Sequence, residues 1–167
     1  MNILQEIVAW IASLFSGGGA VVAPSESYSA SQILATIRQR LTSPLGLPDV
    51  AAQALFAQAY LETGGFKAPE FLATKSLWNR HAGSGKGYWT GQTYYVSPGD
   101  PDLRIYSSLA QSAMDMGELL QDPYYSSSLA ALRRGDVAGY FRSLEALGFS
   151  TQRGYAAALM HTYNDLA

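Results

Sequence analysis

The chain has 167 residues, no cysteine, two histidines and a formal net charge of −2, with 48% of its residues hydrophobic and 14% charged. That is the composition of one folded domain plus a short appendage, not of a disordered segment, and it excludes disulfides, thiolate catalysis and cysteine-ligated metal. No Lys/Arg run draws nucleic acid to it, and neither His81 nor His161 has a second histidine at ligand spacing, so no nucleic-acid partner, metal or cofactor is expected.

Met1–Phe15 is apolar along a broad helical face, with Ile3, Leu4, Ile7, Val8, Trp10, Ile11, Leu14 and Phe15 opposite Asn2, Gln5, Glu6, Ala9 and Ser13. This predicts an amphipathic helix over residues 1–16, too short to span a bilayer and with Glu6 where a secretory leader needs basic residues. Two roles fit it: packing on the domain or a sister subunit, or lying at a membrane surface with Trp10 and Phe15 in lipid. Residues 17–30, small and polar with three consecutive glycines and Pro24, read as a linker.

The domain proper, residues 31–167, is predicted to be mainly helical. Ser31 caps a first helix carrying Ile33, Leu34, Ile37 and Leu41 and ending by Pro44. Pro48 and Asp49 open a second, closed by Gly64 and Gly65. Ser108 and Gln111 form a capping box for a helix reaching Pro123. A short helix over 128–134 follows, then Val137–Leu147 capped by Asp136 and stopped by Gly148. A last helix is capped by Ser150 or Thr151, with Tyr155, Leu159 and Tyr163 on one stripe. Between the second and third helices, Tyr94-Tyr95-Val96 and Leu103–Tyr106 predict two strands joined by the turn Ser97-Pro98-Gly99-Asp100. The expected fold is a mainly α (α+β) helical lobe with a small inserted β-hairpin lobe and a cleft between them for a polymeric substrate. Gly83-Ser84-Gly85-Lys86-Gly87 lacks the full spacing of a phosphate-binding loop and reads as a flexible lead into the hairpin.

Within the small, apolar second helix, Glu62 is the only charged residue past Asp49. It shares a face with Leu55, Gln58 and Ala59 and sits in the last turn. Apolar surroundings and the negative end of the helix dipole both disfavour its carboxylate. A carboxyl that keeps its proton near neutral pH can protonate a glycosidic oxygen. An ordinary solvated helix end is the competing reading of a lone glutamate.

The surrounding residues decide between the two. Ala57-Gln58-Ala59-Tyr60-Leu61-Glu62-Thr63-Gly64-Gly65 resembles the A-Q-A-x-x-E-[ST]-G motif of the glucosaminidase domains of glycoside hydrolase family 73. Leu103-Arg104-Ile105-Tyr106 with Ser107-Ser108-Leu109 is similar to that family's F-R-x-Y-x-S block, with Gln111-Ser112 in place of E-S. Asp122-Pro123-Tyr124-Tyr125 resembles its N-P-R-Y segment, and Gly148-Phe149-Ser150-Thr151 with Tyr155-Ala156 its G-Y-A-T-D-P-x-Y-A ending. These blocks stand in the family's order from about Ser31 to the C-terminus.

The resemblance implies a lysozyme-like fold, Glu62 as general acid, and Tyr155 near the scissile bond; a core aromatic is the alternative for Tyr155. Ser76-Leu77-Trp78-Asn79 is similar to the family's N-L-F-G segment, with Asn79 in place of the glycine. Trp78 and Asn79 are accordingly substrate-binding candidates, joined by Trp89, Tyr95 and Tyr106 because the aromatic crowding from Trp78 to Tyr106 suits stacking on sugar rings as well as core packing. A second carboxylate is expected from the hairpin, whose only acids are Asp100 and Asp102; Asp100 fits turn chemistry as well as catalysis. Participation by the substrate's own acetamido group is the other route.

The expected activity is cleavage of β-1,4 bonds in the glycan strand of peptidoglycan on the N-acetylglucosamine side. It would act at the bacterial cell wall and could be phage-borne for lysis or entry. A lytic transglycosylase or muramidase of related fold is the near alternative, and an idle wall-binding or virion module the alternative of another class.

Overall fold

The computed structural model describes residues 27–83 and 87–167. The helix expected over residues 1–16, most of the linker and residues 84–86 lie outside them.

Ser29, not Ser31, caps α1 (Ala30–Ile37): its hydroxyl accepts from the Gln32 N–H at 3.2 Å and its own N–H donates to the Gln32 amide oxygen at 2.9 Å. The reciprocal pair needs Gln or Glu three residues after the cap, and Ser29 has it while Ser31 has Leu34. Pro44 does not end the helical run. A wide turn over Arg38–Thr42, in which the Ser43 N–H bonds the Arg38 carbonyl, leads into α2 (Ser43–Leu45). The five-residue register ahead of Pro44 accommodates a ring with no N–H to donate.

α3 (Asp49–Glu62) begins one residue after Pro48 and buries Ala51, Ala52, Ala54, Leu55, Ala57, Gln58 and Ala59. A run of small side chains lets neighbours approach on most of its circumference, and α3 packs against α1, the wide turn and α8 (Tyr155–Leu166). After Glu62 the chain reverses through Gly64, Gly65 and Phe66, all left-handed, with φ of 57°, 71° and 64°. Thr63 organises the reversal: its buried hydroxyl donates to the Ala59 carbonyl at 2.7 Å and accepts from the Phe66 N–H at 3.1 Å. Phe66 takes that backbone at a cost of about 1 kcal/mol, offset by burying its ring among Phe56, Tyr60 and Phe71, at centroid distances of 5.4, 5.4 and 5.7 Å.

A six-residue helix unanticipated from the sequence, α4 (Pro69–Thr74), follows; it is too short to display a period. The hairpin is shorter than expected. β1 (Thr93–Tyr94) pairs antiparallel with β2 (Leu103–Arg104), Thr93 opposite Arg104 and Tyr94 opposite Leu103, while Tyr95 and Val96 leave the ladder. The other edge of β2 is not open: Arg104 N–H donates to the Arg80 carbonyl at 2.8 Å and Ala82 N–H to the Asp102 carbonyl at 2.7 Å.

α5 (Leu109–Gln121) is capped by Ser108, which accepts from the Gln111 N–H at 3.2 Å. The Gln111 amide oxygen reaches back to the Ser107 N–H at 3.1 Å, one residue further than a capping box. A tight turn over Pro123–Tyr125 leads into α6 (Ser126–Arg133). α7 (Val137–Ala146) is capped by Asp136, accepting from the Gly139 N–H at 2.8 Å, and is followed by Gly148 at φ 69°. Neither Ser150 nor Thr151 caps α8: the Ser150 hydroxyl turns to the Gln152 N–H at 3.1 Å, and Gly154 at φ 77° precedes the helix. α6 packs on α7, α7 on α8 and α8 on α3, closing one core with Phe141, Leu144 and Leu159 inside. Among the described residues, no helix is long and apolar enough to cross a membrane.

Candidate active site

The last residue of α3 is Glu62, and a row of three other helical side chains leads to it. Tyr155, the first residue of α8, donates its hydroxyl proton to Glu62 Oε1. Gln58, one turn before Glu62 on the same face, places its amide nitrogen 3.4 Å from the Tyr155 hydroxyl. Tyr140 of α7 donates to Gln58 Oε1 at 2.6 Å. Gln58 and Tyr140 have no exposed surface and Tyr155 has 1%, so this polar row runs through the core, where each group needs the partner it has.

Glu62 itself is half-buried. Burial, the larger effect, pushes its pKa up to about 7, and the Tyr155 hydroxyl opposes the rise. The phenols of Tyr155 and Tyr140 are held well above their ordinary pKa, first by burial and second by the Glu62 charge, so both remain donors. An acid that is half protonated near neutrality and still open to solvent can donate a proton and later accept one from water. The Tyr155 ring lies parallel to and offset from that of Phe149, with centroids 6.2 Å apart and planes 10° from parallel, which helps to orient it.

Asn79 joins the site from the segment leading to the hairpin. Its backbone is left-handed at φ 44°, a conformation asparagine tolerates and most side chains avoid. Its amide nitrogen donates to the Glu62 backbone carbonyl at 2.5 Å. It therefore anchors the acid's backbone.

The remaining sequence candidates separate. Trp78, 1% exposed, and Tyr106, 2% exposed, belong to the core, and rings so enclosed cannot stack on a sugar. Trp89 is half-buried, with the Arg104 guanidinium 5.3 Å above its ring centroid. Tyr95 is 63% exposed and free of the strand ladder. The Asp100 carboxylate accepts from the Ser97 hydroxyl inside the turn, and Asp102 accepts from the Thr93 hydroxyl at 3.0 Å across the hairpin. One carboxyl that the sequence did not single out, Glu70 of α4, is buried at 6% exposure; burial raises its pKa, and its Oε2 has no hydrogen-bond partner among the described residues.

The hairpin is fastened to the helices through Asp115 of α5, 1% exposed. Its carboxylate accepts from Arg80 Nε at 3.1 Å, Arg104 Nη1 at 2.8 Å and the Tyr106 hydroxyl at 2.8 Å. Strand alternation puts Arg104 and Tyr106 on the same face, so both residues of the Arg-x-Tyr motif reach one acid. Gly87 passes directly over this cluster: a Cβ there would lie 2.4 Å from Asp115 Oδ1 and 3.1 Å from Arg104 Nη1. Among the described residues, no group of three or more His, Cys, Asp or Glu side chains is placed to hold a metal ion.

The family model for glucosaminidase, described as mannosyl-glycoprotein endo-beta-N-acetylglucosaminidase, matches residues 47–167. None of the curated proteins compared matches the chain. Among solved structures, a peptidoglycan hydrolase from Sphingomonas sp. A1 is similar at 29% identity and a TM-score of 0.58, over 79% of this chain and 81% of that one. The glycoside hydrolase domain of FlgJ from Salmonella typhimurium shares the fold at 22% identity and a TM-score of 0.57, covering 83% of this chain and 89% of its own. So does the catalytic domain of the autolysin Auto from Listeria monocytogenes, at 16% identity and a TM-score of 0.53, over 99% and 94% of the two chains.

Proposed function

The chain belongs to the glucosaminidase family of glycoside hydrolases, and from that premise we propose that it hydrolyses the glycan strand of peptidoglycan as an endo-β-N-acetylglucosaminidase with Glu62 as general acid. The observation that carries the reading is the Glu62–Tyr155 pair at the end of α3: a carboxyl raised to about pKa 7 by burial, with a phenol on one oxygen. The peptidoglycan substrate is supported by the Sphingomonas hydrolase, which is similar over most of both chains.

In the first step Glu62 passes its proton to the glycosidic oxygen as the bond to the anomeric carbon breaks. The resulting carboxylate keeps the Tyr155 hydrogen bond, which is stronger to the charged form. The electron-poor anomeric carbon needs a second group. Asp100 and Asp102 are hydrogen-bonded within the hairpin, to the Ser97 and Thr93 hydroxyls and not to the Glu62 row, and the substrate's acetamido oxygen is the group proposed. Its carbonyl oxygen closes on the anomeric carbon; water then opens the ring while Glu62 takes back a proton.

Glu62→Gln should fold and release no reducing ends from purified peptidoglycan; full activity in that variant would refute the assignment. Mass spectrometry of the wild-type digest distinguishes the chemistry. Reducing-end N-acetylglucosamine is expected, while anhydro-muramic products would make the protein a lytic transglycosylase and reducing-end N-acetylmuramic acid a muramidase. The proposed place of action is the bacterial cell wall, with phage-borne lysis or entry as one setting. Residues 1–16 are proposed to contact a membrane surface or a second subunit, and vesicle flotation of the full chain checks the former.

A further inference from the structure

We propose that Gln58 and Tyr140 are positioning residues that fix the direction of the hydrogen bond between Tyr155 and Glu62, and with it the carboxyl oxygen that carries the transferable proton. The inference rests on the reading of Glu62 as general acid.

The direction follows from what each atom can do. Tyr140 gives its proton to Gln58 Oε1 at 2.6 Å, an atom that only accepts. The amide is thereby turned so that its NH2, which only donates, faces the Tyr155 hydroxyl at 3.4 Å. Tyr155 has a single proton, and with Gln58 presenting donors, the acceptor left for it is Glu62 Oε1. The carbonyl oxygen of a carboxylic acid is its better acceptor, so protonated Glu62 holds its own proton on Oε2. When that proton leaves, Oε1 already has its donor, and no group need reorient as the charge appears.

Turned over, the Gln58 amide would present its carbonyl to Tyr155. The phenol would then donate to Gln58, and Glu62 would spend its proton on Tyr155 instead of the substrate. The titratable groups around this row are Tyr155 from α8, Tyr140 from α7 and, acting on Tyr140, Tyr125 from the turn after α5. None is a base that would compete for the proton near neutral pH.

The test is the pH dependence of kcat/KM on soluble peptidoglycan fragments for full-length wild type, Tyr140→Phe, Gln58→Glu and Glu62→Gln. Tyr140→Phe removes one hydroxyl and should lower kcat by about 3- to 10-fold with KM unchanged, while the basic limb of the profile moves to higher pH. Gln58→Glu matches the amide in shape but, once ionised, presents only acceptors; activity should fall at neutral pH and recover in part at acid pH, where the new carboxyl regains a donor proton. A merely structural role would give losses that do not vary with pH. Uniform losses in both variants, with basic limbs at the wild-type position, would overturn the proposal; if Gln58→Glu fails to fold, the Tyr140→Phe limb decides. Activity in Glu62→Gln would instead remove the general-acid reading on which the proposal stands.

Discussion

Replacing Glu62 by Gln should abolish catalysis and, above neutral pH, make the protein more stable than the wild type. Glu62 titrates near 4.5 in an unfolded chain and at about 7 in the folded one. Because the folded pKa is the higher, the native state binds more protons than the unfolded state between those values, and stability falls as pH rises through that window. Below it both states are protonated and the carboxyl contributes nothing. Above it the native protein holds a desolvated carboxylate at a cost of roughly 3 kcal/mol. Glutamine has the same shape, still accepts from Tyr155 and has no charge to desolvate. Melting temperatures of wild type and Glu62→Gln, measured from pH 4 to 9 at constant ionic strength, should therefore coincide at pH 4 and diverge to roughly 6–12 °C in favour of the variant by pH 8.5. Parallel curves would refute the reasoning, because they would mean that Glu62 titrates alike in the folded and unfolded chains.

Tyr155→Phe removes the hydroxyl that stabilises the Glu62 carboxylate; kcat should fall about tenfold and the basic limb of the pH profile should rise by about one pH unit, whereas an unshifted limb would show that the phenol does not act on the acid. Asp115→Ala should cost roughly 3–5 kcal/mol in urea unfolding, since it leaves the buried Arg104 guanidinium without its carboxylate; a loss under about 1 kcal/mol would show that water or another group takes over. Gly87→Ala drives a methyl into the same cluster and should lower the melting temperature, while Tyr95→Ala, at an exposed position outside the ladder, should leave it unchanged. Weakened binding of soluble glycan fragments by Tyr95→Ala would place that ring against substrate.

Glu62 alone at the end of an apolar helix reads equally as a solvated helix end; what singled it out in the sequence is the resemblance of residues 57–65 to a family motif. Its partners were legible to different degrees. Tyr155 was marked by its resemblance to a family motif, since its stripe with Leu159 and Tyr163 is equally that of a core tyrosine. Gln58 lay in view, one turn before Glu62 in an apolar helix, but its meaning depends on Tyr140, 82 residues further along the chain, and no spacing announces a contact of that range. Residue type misled at Trp78 and Tyr106: aromatic rings suit both sugars and cores, and only the packing of α3, α5 and the hairpin decides which. The strands fell short for a related reason. Tyr94, Tyr95 and Val96 favour extended backbone, yet pairing needs a facing partner, and the neighbours of β2 are used up by Thr93-Tyr94 on one side and residues 80–82 on the other.

The Asp115 cluster bears on how the hairpin and the helices stay together. Pulling the hairpin outward would strand Arg104, 5% exposed, with its countercharge left behind in the helices. One buried acid thus bolts the hairpin to the helices, and parting them leaves a guanidinium without its countercharge.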